Sequence, residues 1–276
     1  VSLEANPTAA RRSRAERARN ALIAGAALFW IVLLGLMLGA ALALPDALFL
    51  ALLLVGVPSL AIAQLPLVEG AVVERLPVYW GSIAMLWLLG GAAWLVGTRA
   101  EGHAALGLVA LPPGALLAWS AGLTLLSLST IVVFRVLGAA AGLRDSVLLR
   151  RLLPRTAREK RVFVILSLAA GVGEELAYRG YAIGALAPLL GTGGAAAVTS
   201  LVFGILHGYQ GLLGTLRTTV MGGVLAWGFL ASGSLWPVIV THIVIDVLAG
   251  IVLGERLLSP AEPGGDARSD FRSSES

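Results

Sequence analysis

VFVILSLAAGVGEELAYRGYAIGAL, Val162–Leu186, is an apolar run that nevertheless holds Glu174, Glu175 and Arg179. A helix needs about 20 predominantly apolar residues to cross a bilayer, and this run has that length. An ionisable side chain at membrane depth is costly and marks a functional site by default. Three within six positions pose the question that the rest of the chain must answer: which partners make those charges tolerable.

The wider composition places the run in a membrane protein. The 276 residues are 58% hydrophobic and only 13% charged, and the mean hydropathy is +0.88. A soluble domain carries about 25% charged residues. Cysteine is absent, which rules out a disulfide framework, a thiolate metal site and a cysteine nucleophile. The isoelectric point near 10.1 reflects arginines lying almost entirely outside the apolar runs, a membrane-orientation pattern. No folded polar domain carries a basic patch, so nucleic acid is not an expected partner. The first apolar run is too long for a cleaved signal peptide and reads as a retained helix.

The hydropathy pattern predicts an all-α, polytopic transmembrane helical bundle of about eight spans. A basic arm occupies residues 1–20. A four-span region follows over 21–142, with spans Ala21–Leu44, Ala47–Leu65, Val78–Val96 and Gly114–Leu137 and a short interfacial piece at Ala104–Leu111. Residues 143–161 form a basic loop in which Val147, Leu148, Leu149, Leu152 and Leu153 interleave with arginines. That pattern fits a short interfacial helix stopped by Pro154. The second membrane region, 162–254, contains spans Val162–Leu186, Ala195–His207, Leu212–Ala231 and Leu235–Leu253, with a turn at Gly191–Gly194. Residues 255–276 are a polar tail expected to be disordered. The two strongest basic blocks fall on one side of an eight-span chain, so both termini are expected in the cytoplasm.

Polar residues suited to chemistry are concentrated in the fifth, sixth and eighth spans, and the centres of the first four spans hold no Asp, Glu, His or Lys. Glu175 and Arg179 are four apart and share a helix face, so they can pair. Glu174 is turned about 100° from Glu175 on a 3.6-residue helix and needs another partner. Phe203 and His207 share a face, as do His242 and Asp246 in the middle of an apolar span. Two glutamates, two histidines and an aspartate on three otherwise apolar helices imply a polar cavity inside this half of the bundle.

These residues carry a family resemblance. Glu174-Glu175-Leu-Ala-Tyr-Arg179 resembles the EExxxR motif of the CPBP intramembrane proteases, which include the CAAX-processing endopeptidases. Phe203-Gly-Ile-Leu-His207 resembles their FxxxH motif, and His242-Ile-Val-Ile-Asp246 their third motif, HxxxN or HxxxD. The resemblance covers about residues 162–250; the first four spans resemble no named family. It implies a glutamate-type endopeptidase of the membrane with no cofactor and no metal. Glu174, with His207, would activate water; Glu175, Arg179 and Phe203 would support the site; His242 and Asp246 would face the developing oxyanion. An ionised Asp246 cannot donate to an oxyanion as an asparagine would, so it is expected to orient His242 instead. The implied partners are the lipid bilayer and a peptide or membrane-protein substrate, with no oligomeric state indicated. The alanine-, glycine- and arginine-rich composition points to a bacterial plasma membrane.

Three other readings compete. Glutamate and histidine are competent zinc ligands, although HExxH is absent. A metal-dependent membrane protease would therefore use the same residues. A non-enzymatic scaffold or bacteriocin-immunity protein has precedent in the resembled family. A proton-coupled transporter would show matching broken helices in both halves, whereas the polar residues here lie in one half.

Overall fold

The structure, a computed structural model, describes residues 7–68, 73–99 and 102–254. The expected disordered tail at 255–276 and the first six residues of the basic arm lie outside the described residues. Every regular element among the described residues is helical. In chain order the helices are α1 (Pro7–Leu34), α2 (Leu44–Ala51), α3 (Val57–Val68), α4 (Arg75–Gly97), α5 (Pro113–Ala140), α6 (Val147–Leu152), α7 (Ala157–Glu174), α8 (Ile183–Leu206), α9 (Gly211–Ser232) and α10 (Trp236–Val247).

Several of these join without a break. A π-helical stretch, Leu52–Gly56, fuses α2 and α3, and a second, Glu175–Ala182, fuses α7 to α8. Five helical runs among the described residues are long and apolar enough to cross a membrane: Arg11–Gly39, Leu44–Val68, Arg75–Gly97, Pro113–Ala140 and Ala157–Leu206. Trp236–Val252 is a shorter apolar helix. The chain is an all-α, multi-pass membrane bundle.

The 50-residue run Ala157–Leu206 is two helices in practice. Gly191 sits at φ +69°, ψ 159° in the middle of α8, a conformation that glycine adopts without a Cβ penalty. The predicted turn at Gly191–Gly194 is therefore set by its first residue. The predicted span over Leu212–Ala231 corresponds to α9, which is less apolar than the five runs. It can be, because Leu213, Arg217, Thr218, Gly222, Leu225 and Gly228 are buried between α8 and α5.

The predicted interfacial piece at Ala104–Leu111 is tied to the bundle. Gly102–Leu106 is a single 3-10 turn with Leu106 buried. The Gly107 carbonyl then accepts from Leu235 N at 2.7 Å, and the Val109 carbonyl from Ser234 Oγ at 2.6 Å. This connector docks on the start of α10, where backbone groups left by an extended segment find donors.

The core of the second half is built around α7. It packs along α4 on one side and α10 on the other, while α8 pairs with α9, and α5 backs both α9 and α10. Small residues set these spacings, as is usual for helices packed in lipid. A Cβ on Gly173 would lie 2.3 Å from the Leu86 carbonyl oxygen of α4. One on Gly204 would lie 1.8 Å from Thr219 Oγ1 of α9. The two contacts bring α4 against the residue preceding Glu174, and α9 against the turn preceding His207.

Candidate active site

α7 starts on a capping box: Thr156 Oγ1 accepts from Glu159 N at 3.2 Å, and Glu159 Oε2 accepts from Thr156 N at 2.9 Å. The helix then runs to Glu174, its last residue, and Glu175 opens the π-helical stretch, all eight residues of which are buried. Such stretches widen the helix locally and recur at functional sites.

Within this stretch Arg179 Nη1 donates to Glu175 Oε1 at 2.7 Å, with both side chains essentially inaccessible to solvent. Arg179 Nη2 donates to the Gly222 carbonyl of α9 at 3.2 Å. The guanidinium carbon lies 4.3 Å from the centroid of the Phe203 ring, within cation–π range. A buried arginine is thus held by a carboxylate, a carbonyl and an aromatic face. Bare Gly222 permits the approach, since a Cβ there would come within 3.3 Å of Arg179 Nη2.

The His242 ring stands between the glutamates. Nδ1 is 2.6 Å from Glu175 Oε1, so Nδ1–H donates to that carboxylate. Nε2 lies 3.6 Å from Glu174 Oε2 and 3.8 Å from Asp246 Oδ2. The sequence expectation that Glu174 and Glu175 point to different faces holds in one sense: they meet opposite edges of a single imidazole. The orienting contact expected from Asp246 comes at closer range from Glu175. Asp246 is about one-third exposed, Glu174 about one-sixth, so the cluster is more open at its Asp246 end. Glu174 Oε2 and Glu175 Oε2 have no hydrogen-bond partner among the described residues.

His207 terminates α8. Its Nδ1 is 2.8 Å from the Phe203 carbonyl, which accepts, so Nδ1 carries the hydrogen and the neutral ring presents its lone pair at Nε2. No hydrogen bond or ion pair joins His207 to Glu174 among the described residues; the histidine within 4 Å of Glu174 is His242. Phe203 connects the two imidazoles, with its ring centroid 4.7 Å from His207 and 6.0 Å, at 87°, from His242. All seven residues singled out in the sequence thus belong to one locality, formed by α7, the π-helical stretch, α8 and α10.

The residues expected to line a polar cavity are gathered in one cluster, with Glu174 and Asp246 partly exposed. A cavity of about 320 Å³ borders the C-terminal end of the π-helical stretch, lined by Asp46, Arg99, Leu106, Gly180, Tyr181 and Gly184 among others, and does not include Glu174, His207 or His242. Among the described residues no group of three or more His, Asp or Glu is arranged to hold a metal ion.

Two features of the site were not anticipated from sequence. The capping box carries a readable signature, Thr156-x-x-Glu159 ahead of an apolar run. The contact of Arg217 with Asp145, at 3.0 Å, spans 72 residues and has no local signature.

Residues 157–248 match the family model described as type II CAAX prenyl endopeptidase Rce1-like. The resemblance read from three short motifs to the CPBP-type CAAX proteases is borne out over that segment. No curated protein and no solved structure gave a match. Together with the apolar helices, the family match supports a membrane-embedded endopeptidase, a hydrolase working on peptide at the bilayer.

Proposed function

We propose that this chain hydrolyses a peptide bond of a membrane-associated or C-terminal-tail substrate using a water activated by Glu174. The observation that carries the proposal is the state of that carboxylate. Glu175, its neighbour, is occupied by Arg179 and His242 Nδ1. No hydrogen bond engages the Glu174 carboxylate among the described residues, and His242 Nε2 stands 3.6 Å from its Oε2. A carboxylate so placed keeps its oxygens available to take a proton from water.

The geometry supports a role for each remaining residue. Glu174 takes the proton as oxygen adds to the scissile carbonyl. His242 has Nδ1–H committed to Glu175, so Nε2 is the ring atom that faces the reacting groups; protonated, it donates to the developing oxyanion. Asp246 holds that edge of the ring. His207, with Nδ1–H fixed on the Phe203 carbonyl, has an unprotonated Nε2 that takes up the proton Glu174 removed from water and hands it to the leaving amine. Glu175, Arg179 and Phe203 fix the positions of the other groups. The chemistry is that of a glutamic peptidase needing no metal, seated in a bacterial plasma membrane with both termini cytoplasmic.

The test is cleavage of an apolar-tailed peptide by the purified chain in detergent, with and without a strong divalent-metal chelator. Equal rates are expected. Loss of activity on chelation, restored by one added metal, would replace the glutamate-and-water reading with a metal-dependent one.

A further inference from the structure

α9 carries one charged residue, Arg217, and it is buried. Its Nη1 donates to Asp145 Oδ1 at 3.0 Å, with the aspartate side chain 1% exposed. Its Nη2 donates to Gln210 Oε1 at 3.1 Å. A buried ion pair is a weak source of net stability, because desolvation offsets most of its attraction, and apolar residues of similar volume often serve as well. Its placement therefore calls for a positional explanation.

The contacts around it supply one. Gln210 closes the single 3-10 turn Gly208–Gln210, which begins directly after His207, and Gln210 N donates to the His207 carbonyl at 2.9 Å. On the other side, Ser146 N donates to the Gln210 carbonyl at 3.0 Å, and Ser146 Oγ donates to the Tyr209 carbonyl. The Tyr209 ring lies 5.8 Å from that of His207. Asp145 and Ser146 thus brace the turn by side chain and backbone together. Ser146 also caps α6, accepting from Leu149 N at 3.0 Å. Gly214 leaves the room in which the Gln210 side chain folds back, since a Cβ there would lie 2.2 Å from Gln210 Cβ.

We propose that Asp145, Arg217 and Gln210 are positioning residues for His207. They hold the turn after α8 so that the imidazole keeps its Nδ1–H on the Phe203 carbonyl and its Nε2 toward the site. The brace joins the 143–161 loop, which precedes most of the matched segment, to one of the catalytic side chains. Its relevance to hydrolysis rests on the catalytic reading of His207, but its effect on the ring can be measured without any substrate.

The chain has three histidines, so ¹⁵N-labelled imidazoles of the full protein in detergent can be assigned with His207→Gln. Wild type is expected to show His207 as one neutral tautomer, protonated at Nδ1. The double variant Asp145→Asn/Arg217→Gln removes both buried charges together and avoids leaving either unpaired. It is expected to lower the ratio of Nδ1–H to Nε2–H tautomer about tenfold, the effect of losing roughly one hydrogen bond, while His242 is unchanged. Gln210→Ala should move the ratio in the same direction by less, and it carries the test alone if the double variant does not fold. A His207 tautomer ratio unmoved in the folded variants, or a His242 signal that moves as far as that of His207, would overturn the assignment. Because the readout is the ring itself, a failed peptidase assay leaves this result standing, and the reverse also holds.

Discussion

Gly173→Ala is expected to damage both the fold and the site, and the structure sets the size of the effect. The new Cβ would lie 2.3 Å from the Leu86 carbonyl oxygen and 3.0 Å from its carbon. Both are backbone atoms of α4, so no flexible side chain can yield. Ordinary contact begins near 3.4 Å, so α4 and α7 must part by roughly 1 Å. Overpacking of this kind costs about 1–3 kcal/mol, or a fall in Tm of roughly 2–4 °C per kcal/mol for a chain of this size. Glu174 is the next residue and shifts with the backbone relative to a His242 nitrogen now 3.6 Å distant. A misplacement of about 1 Å can cost on the order of 100-fold in rate. Thermal denaturation in detergent and peptide-cleavage kinetics read the two effects. Gly91→Ala is the control, because nothing lies within 4 Å of its Cβ position. A Gly173→Ala protein that melts and cleaves like Gly91→Ala would refute the claim that this helix contact sets the position of the carboxylate.

Arg179→Met should destabilise the protein by about 3–5 kcal/mol, because it leaves the buried Glu175 carboxylate without its cation. The double variant Glu175→Gln/Arg179→Met should recover part of that loss in a denaturation series, and no recovery would argue against the pair. Asp246→Asn should lower kcat about tenfold through weaker control of the His242 ring; a more active variant would show that an amide donor is preferred there and that Asp246 has no orienting role.

The outline of the fold was legible because its signals are local. Apolar runs, the Gly191 turn and the Pro154 stop each act over a few residues, and the amphipathic pattern at 147–153 appears as α6. The three motifs were legible for a related reason: a charge in an apolar helix stands out against its background, so Glu174, His242 and Asp246 identify themselves. What could not be read was which side chains meet. The i,i+4 pairing of Glu175 and Arg179 follows from helix geometry, whereas His242 reaches both glutamates only because α10 packs on α7. The family resemblance pairs Glu174 with His207, yet the histidine within 4 Å of it is His242. The π-helical stretch Glu175–Ala182 has no propensity signature of its own. Arg217 is a lone charge in α9, and only the fold brings Asp145 to it. The connector at 104–111 is too short to span and reads as interfacial, but nothing in its sequence shows that its carbonyls meet donors at the start of α10.

The central claim concerns one carboxylate, and cleavage of one peptide by wild type and Glu174→Gln at equal folded concentration tests it most directly. Glutamine keeps the shape and removes the base. General-base catalysis accounts for about 10²–10⁴-fold of rate, so kcat should fall by at least about 100-fold with Tm little changed. Cleavage by Glu174→Gln at the wild-type rate would contradict the account.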